Sequence, residues 1–294
     1  MTIDHAATYR DQTLKNLVHR RRLKGILSVL EEHVWLAGRT YADVGCSNGY
    51  ITATVCERFR PKACCGFDND ADNLEQARKS YPHIEFREIN LNEVRTPEAR
   101  FDVVTSFEVL EHVGDLENAL ENLILLTAPQ QGLLFITAPI EVGWRGTLKF
   151  LAKTLLYGYK LDELPPRKTL YLKYLAALVA GGRISRFRDK KSGWGTHFGF
   201  DCREIDAYLA SRGVHFQAWN DFMTRFYLVR PSGRPGTQEP GSIAWGLQTA
   251  SSGMQAAWTH RALICALPRL RFRTAAGMPG RVADSGGFGL REQA

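Results

Sequence analysis

Apolar positions along the chain change their spacing near residue 40. Before it, apolar residues recur at helical spacing over residues 8–36, which predicts N-terminal helices within 1–37. After it, short apolar runs alternate with amphipathic helical stretches. The predicted strands are 41–44, 63–67, 84–89, 101–106 and 133–138, and the predicted helices between them are 50–58, 71–80 and 116–126. This alternation predicts an α/β fold with a mostly parallel sheet that is covered on both faces.

The same domain continues to residue 230 with one interruption. A helix is predicted at 203–211, followed by strands at 216–222 and 225–229, whose tight turn indicates an antiparallel hairpin at one edge of the sheet. Residues 144–195 break the alternation: leucines and lysines at helical spacing predict a basic amphipathic helix, and 170–180 predicts a second helix. We therefore expect a main domain over 38–230, with 144–195 inserted as a helical cap over the active site.

The chain beyond the main domain has a different composition. Residues 231–242 are rich in Pro, Gly and Ser and predict a linker, and the rest of 231–294 has scattered apolar residues and a Gly-rich end. We expect a linker and a partly disordered tail there, with at most one helix.

Composition narrows the protein class only moderately. The N-terminal residues lack the apolar core of a signal peptide, and no uncharged stretch is apolar enough to span a membrane, so we expect a cytoplasmic protein. Six cysteines form neither a CxxC pair nor a zinc spacing, which favours free thiols over a disulfide framework. In that interpretation Cys64 and Cys65, in a short apolar run, behave as small hydrophobic residues.

The net charge of +7 is unevenly distributed. Residues 144–195 contain twelve Lys and Arg against three acidic residues, so the rest of the chain is slightly acidic. Such an excess indicates an anionic partner, such as a phosphate, an acidic saccharide or a membrane surface. A solvated loop rich in Lys and Arg explains it equally well, and both interpretations stay open.

The strongest motif is Asp43-Val-Gly-Cys-Ser-Asn-Gly49, between a predicted strand and a predicted helix. A glycine-rich turn at this place lets a ligand approach the backbone at the carboxyl end of the sheet. Dinucleotide-binding turns need further glycines where this chain has Ser47 and Tyr50, so a pyrophosphate is hindered. Asp43 at the strand end suits a cationic ligand better, and the chain lacks the GK[ST] of a P-loop at this turn.

This motif resembles the first motif of the class I S-adenosylmethionine-dependent methyltransferases, whose fold is a Rossmann-like sheet with an antiparallel edge hairpin. The resemblance covers residues 38–140 and, more loosely, 196–230. It implies that Asp43 and Gly45 lie against the methionine part of the cofactor, that Asp68 binds both ribose hydroxyls, and that Asn90 meets the adenine amino group. The implied cofactor-binding residues are Asp43, Gly45, Cys46, Gly49, Asp68, Asn69, Asn90 and Phe107.

A second motif follows the fourth predicted strand. Glu108, Glu111 and His112 form E-x-x-E-H, and on a helical turn these positions face one way. Together with the later Gly-Thr-His197, the motif resembles the ubiquinone-biosynthesis O-methyltransferases and the plant small-RNA 2′-O-methyltransferases, in which such residues hold a divalent metal. The resemblance implies a Mg²⁺ site formed by Glu108, Glu111, His112 and His197, where the metal would lower the pKa of a bound hydroxyl. Without metal, His112 or His197 is the candidate general base, and both alternatives stay open.

These features favour an S-adenosylmethionine-dependent methyltransferase that methylates an oxygen. The [DN]PP[YF] sequence associated with amino-methylation does not follow the fourth strand. The expected acceptor is a hydroxylated small molecule, lipid or glycan, with peripheral membrane contact through the basic insertion.

Two other classes remain. An RNA 2′-O-methyltransferase could use the basic insertion on phosphates, but the aromatic residues there are spaced for packing rather than base stacking, so a nucleic acid is not expected. A catalytically silent cofactor-binding subunit is disfavoured by the full set of acidic and histidine residues.

Overall fold

The computed structural model describes Tyr9 and residues 16–129, 131–149, 168–188 and 199–231. The strands are β1 Thr40–Val44, β2 Ala63–Asp68, β3 Glu85–Glu88, β4 Val103–Phe107, β5 Leu133–Pro139, β6 His215–Asp221 and β7 Thr224–Arg230. The helices are α1 Leu17–His33, α2 Tyr50–Phe59, α3 Ala71–Ser80, α4 Leu116–Leu126, α5 Lys168–Val179 and α6 Arg203–Ser211. Residues 143–149 are also helical, and Ser185–Phe187 form one 3₁₀ turn.

The seven strands form one sheet in the order β3-β2-β1-β4-β5-β7-β6. Neighbouring strands from β3 to β5 are parallel, whereas β7 runs antiparallel to both β5 and β6. The predicted mostly parallel sheet with an antiparallel edge hairpin is therefore confirmed. The strand order reverses between β1 and β4, and ligands of such sheets bind beside the carboxyl ends of the strands at that reversal.

Helices cover both faces of the sheet. On one face, Leu120 and Leu123 of α4 and Ile205 of α6 are fully buried in a cluster with the inner side chains of β1, β4 and β5. On the other face, Ile26 and Leu30 of α1 are fully buried in a second cluster with β1, β5 and β7. Because neither face is left to solvent, β5 is buried along its whole length, which explains its continuous apolar sequence.

The cysteines differ from the sequence expectation in one respect. Cys56 of α2 and Cys64 of β2 form a disulfide with a Cα–Cα distance of 6.5 Å. Their spacing of eight residues gave no recognisable pair, but the turn from α2 into β2 brings them together. Among the described residues, Cys46, Cys65 and Cys202 are free and buried, as expected of small hydrophobic side chains.

The inserted cap is described only in part. Helical residues 143–149 match the start of the predicted basic helix, and α5 matches the second predicted helix, whereas the 3₁₀ turn at Ser185–Phe187 was not predicted. Tyr174, Leu178 and Ile184 are buried in a small apolar cluster of their own. The rest of the first helix, His197 and the predicted linker and tail lie outside the described residues. Within the described part of the chain, no helix is long and apolar enough to cross a membrane.

Candidate active site

The glycine-rich loop after β1 is attached to the end of β2. The backbone N–H groups of Gly45 and Cys46 donate to the carbonyl of Phe67, at 2.6 and 2.9 Å. Gly45 and Gly49 have φ of +83° and +78°, a region in which a side chain is strained. The loop therefore turns sharply at the carboxyl edge of the sheet and leads directly into α2.

Both glycines of the loop are needed because protein side chains pack against them. A Cβ on Gly45 would lie 2.1 Å from a methyl group of Val109, which follows β4, and one on Gly49 would lie 2.8 Å from the ring of Phe86. We had expected these glycines to admit a ligand to the backbone. Here Val109 occupies that side of Gly45, so the glycine brings the turn after β4 against the loop.

Asp43 lies at the base of the loop with its carboxyl group buried. It accepts hydrogen bonds from the hydroxyls of Thr52 at 2.6 Å and Thr105 at 2.9 Å. Burial raises the pKa of Asp43 to about 6, although both hydroxyls oppose the shift. A carboxyl group fixed in this way at the sheet edge favours a cationic ligand nearby.

Asp68 closes the other side of the loop at the end of β2. Its carboxylate accepts hydrogen bonds from the backbone N–H groups of Ser47 at 2.7 Å, Asn69 at 2.9 Å and Asp70 at 3.0 Å. A carboxylate has about four acceptor positions, so capacity for a ligand hydroxyl remains. Backbone contacts thus hold Asp68 where the resemblance implies ribose recognition.

The other cofactor-site candidates lie at varied places. Cys46 is buried in an apolar cluster with residues of α3, and its thiol donates to the carbonyl of Ser47 in the loop at 3.7 Å. Asn90 accepts from the N–H of Asn92 at 3.0 Å and donates to Glu93 at 3.1 Å, which organises the turn after β3. Phe107 packs edge-on against Phe135 at 5.2 Å in the core, on the side of the sheet that α1 covers.

The E-x-x-E-H residues form an irregular turn and not the expected helical face. Glu108 has φ of +57°, in the left-handed region, and the N–H of His112 donates to the carbonyl of Val109 at 2.9 Å. The helix α4 begins only after this turn, at its cap Asp115, whose side chain accepts from the N–H of Asn118. The three candidate ligands are therefore not arranged on one face of a helix.

The two glutamates of this turn differ in burial, since Glu108 is only partly buried, and in their electrostatic surroundings. Glu108 forms an ion pair of 2.7 Å with Arg22, a buried side chain of α1 that also donates to the hydroxyl of Thr224. Glu111 is fully buried, and both burial and the charge of Glu108 raise its pKa well above the ordinary value. Burial also raises the pKa of Glu108, while the charge of Arg22 opposes this.

A second arginine holds the backbone of the same turn. One guanidinium nitrogen of Arg188, just after the 3₁₀ turn of the insertion, donates to the carbonyls of Leu110, Glu111 and Val113, at 3.3, 3.1 and 2.5 Å. The guanidinium also lies over the ring of Phe200, 5.3 Å from its centroid. The inserted segment is thereby anchored to the turn that carries Glu111 and His112.

The proposed metal ligands are not brought together in the described part of the structure. No group of three His, Cys, Asp or Glu residues there could hold a metal ion. Glu108 fits that role poorly, because Arg22 already neutralises its carboxylate. His197, the fourth proposed ligand and the second candidate base, lies outside the described residues, so the complete ligand set stays a prediction.

Comparison with known proteins identifies the family. The family described as a methyltransferase domain matches residues 5–204. The chain belongs to this methyltransferase domain family.

The relatives of this methyltransferase-family chain agree with the sequence resemblance. It is 30% identical over 106 residues to a probable S-adenosylmethionine-dependent methyltransferase of Mycolicibacterium smegmatis, covering 36% of this chain and 40% of the relative. It is also 30% identical over 118 residues to a ubiquinone biosynthesis O-methyltransferase of Coxiella burnetii, covering 38% and 48%. The chain thus spans less than half the length of these curated relatives.

A solved structure shares the fold. The PH0226 protein of Pyrococcus horikoshii is 14% identical, with a TM-score of 0.50 over 77% of this chain and 96% of that one. Together with the family match, this confirms the class I resemblance and the Rossmann-like methyltransferase fold.

The residues around the glycine-rich loop suit the cofactor that the resemblance implies. The Ser47 hydroxyl is buried in the glycine-rich loop and has no hydrogen-bond partner among the described residues, so it can bond to a ligand. Asp43 and Asp68 place two carboxyl groups around the loop, which suits a ligand with a positive charge and hydroxyls.

Sequence reasoning missed Arg22 and Arg188. Arg22 had a signal, because it lies four and seven residues before Ile26 and Val29 on the buried stripe of α1. Arg188 had none, since its contacts join segments that are distant in the sequence.

Proposed function

We propose that this chain is an S-adenosylmethionine-dependent methyltransferase that transfers the methyl group to an oxygen of a hydroxylated small molecule, lipid or glycan. The arrangement of two carboxyl groups, Asp43 and Asp68, around the glycine-rich loop carries the cofactor part of the proposal. The turn with Glu111 and His112 adjoins this loop through the contact of Val109 with Gly45, so acceptor and cofactor would meet there.

Each part of the reaction has a candidate group. The cofactor supplies a methyl group on a positively charged sulfonium. The bound cofactor would give this methyl group to the acceptor oxygen as its carbon–sulfur bond breaks, and would leave as a neutral thioether that keeps the electron pair. The acceptor proton must leave, and we propose the half-buried imidazole of His112 as its receiver, with His197 as the alternative.

Cofactor labelled in its methyl group tests which atom is methylated and whether His112 takes part in the reaction. The full chain would be incubated with phenols, sugars, polyprenyl lipids and short RNAs, with Mg²⁺ or with a chelator, and the methylated atom would be identified. The proposal expects the labelled methyl group on an oxygen atom of the acceptor. His112→Gln should lose about 100-fold or more in turnover, whereas the control His215→Gln, at an exposed position of β6, should keep it. Label on nitrogen or carbon would contradict the proposal.

The same screen separates the metal hypothesis from simple base catalysis. The ion pair of Arg22 with Glu108 favours catalysis without a metal, and activity should then survive chelation. Activity that is lost on chelation and returns with Mg²⁺ or Mn²⁺ would instead support the proposed ligand set with His197.

We further propose a cytoplasmic, membrane-peripheral protein whose insertion contacts an anionic lipid surface. Trp144 and Leu148 of the helical residues 143–149 are 68% and 50% exposed, and Leu172 of α5 is 63% exposed. Arg145 lies over the ring of Trp144, at 5.1 Å from its centroid. Exposed apolar side chains among basic ones are typical of helices that bind at a membrane interface.

Vesicle sedimentation tests this contact. The chain should sediment with vesicles of anionic lipid and not with zwitterionic ones, and salt should weaken the binding. Trp144→Ala should reduce it, whereas Trp35→Ala, at a similarly exposed tryptophan outside the insertion, should not. Equal sedimentation with both lipids, or equal effects of both variants, would refute the contact.

A further inference from the structure

The ring of Tyr9 packs against the start of α2, the helix that follows the glycine-rich loop. Its ring stacks on that of Tyr50, with centroids 5.9 Å apart and planes 15° apart, and meets the ring of His19 edge-on at 6.1 Å. Tyr50 is the first residue of α2 and directly follows Gly49. The segment before α1 therefore places an aromatic ring over the end of the loop.

The phenol of Tyr9 lies within electrostatic range of charged groups of the site. Burial raises its pKa to about 12, so the hydroxyl is neutral at physiological pH. Arg22, Glu108, Asp43 and Glu111 all act on it electrostatically. Asp43 belongs to the loop side of the site, and the two glutamates belong to the turn after β4. Charged groups from both the cofactor side and the acceptor side therefore act on Tyr9, whose ring packs at the end of the loop.

A small cation is favoured in these surroundings. Arg22 is paired with Glu108, and a bound cation would favour the ionised form of the buried carboxyl groups of Asp43 and Glu111, whose pKa values burial raises. An aromatic face also attracts a desolvated cation. The methyl group passes from cofactor to acceptor between these two sides, so the sulfonium must lie near this junction.

We propose that Tyr9 is a cofactor-binding residue whose ring forms one wall of the cleft and contacts the sulfonium of the bound methyl donor. This inference rests on the cofactor part of the proposed function and is independent of the acceptor.

A pair of ligands that differ in one charge provides the test. S-adenosylhomocysteine has a neutral thioether at the sulfonium position, whereas sinefungin has a protonated amine there and does not react. Calorimetry would measure both ligands with the wild-type chain, Tyr9→Leu, Tyr9→Phe and the exposed control Trp35→Leu. Tyr9→Leu should lose about tenfold in affinity for sinefungin and less than about threefold for S-adenosylhomocysteine. Tyr9→Phe keeps the ring face and should bind both ligands within about twofold of the wild type.

Several results would overturn the proposal. Equal losses of affinity for both ligands would mean that Tyr9 only packs against the site and does not recognise the charge. Unchanged or tighter binding in Tyr9→Leu would mean that the ring does not contact the ligand. A wild-type chain that binds neither ligand would remove the cofactor assignment itself, whereas failure to find an oxygen acceptor leaves this test unaffected. Thermal unfolding confirms that each variant is folded, and Tyr9→Met replaces Tyr9→Leu if the latter is not.

Discussion

Asp43 should make the protein less stable at neutral pH than a neutral residue would. Its carboxyl group is buried, and burial raises its pKa from 3.8 to about 6. Because the folded-state pKa is raised, the stabilising contribution of this group is complete below about pH 3.8 and is lost as the pH rises through about 6. At pH 7 and above, the folded protein therefore contains a buried charge at a cost in free energy.

The shift of about two pKa units corresponds to about 3 kcal/mol, at about 1.4 kcal/mol per unit. In Asp43→Asn this cost disappears, but one of the two threonine hydroxyls that now donate to the carboxylate must reorient toward an amide, which costs about 1 kcal/mol. We therefore expect Asp43→Asn to raise the free energy of unfolding at neutral pH by about 2 kcal/mol, while it weakens binding of the cationic cofactor.

Urea unfolding at about pH 5 and about pH 8 measures the effect. The wild type should lose stability relative to Asp43→Asn between these two conditions. Asp102→Asn is a control of opposite sign, because hydrogen bonds from the backbone and hydroxyl of Thr40 lower the pKa of Asp102. Its carboxylate stabilises the fold above its unfolded pKa, so that variant should be less stable at neutral pH. An Asp43→Asn protein that is less stable than the wild type at both pH values would refute this reasoning.

Further changes test the other parts of the site. Asp68→Ala should weaken S-adenosylhomocysteine binding about 100-fold by calorimetry, through loss of two hydrogen bonds to a charged acceptor, whereas the helix-cap variant Asp70→Ala should affect only stability. Arg22→Met should lower the free energy of unfolding by about 3–5 kcal/mol, because it leaves the carboxylate of Glu108 buried without its cation. His197→Ala should abolish any stimulation of activity by Mg²⁺ while cofactor affinity stays unchanged; a retained metal response would exclude His197 as a ligand.

The sheet could be predicted from the sequence because its signals are local. β5 is a continuous apolar run, and α4 begins after a capping aspartate and shows clear helical spacing, so pattern and structure agree there. The family resemblance had implied that Asp43 and Asp68 share one site, and they lie at one edge of the sheet because the carboxyl ends of parallel strands lie together. The hairpin of β6 and β7 was likewise predictable from its tight turn.

The turn after β4 could not be predicted, because its conformation depends on distant segments. Residue spacing suggested a helical face for Glu108, Glu111 and His112, yet Glu108 adopts a left-handed conformation and pairs with Arg22. Arg188 fixes the same turn from the insertion. Such contacts depend on how α1 and the insertion pack on the sheet, and this packing cannot be predicted from the local sequence.

Calorimetry with the full chain tests the central claim most directly. The chain would be titrated with S-adenosylhomocysteine and, in parallel, with NAD, the dinucleotide for which its loop lacks the required glycines. We predict micromolar binding of S-adenosylhomocysteine and no measurable heat with NAD. Tight binding of NAD together with no heat from S-adenosylhomocysteine would contradict the assignment of this cleft to the methyl donor.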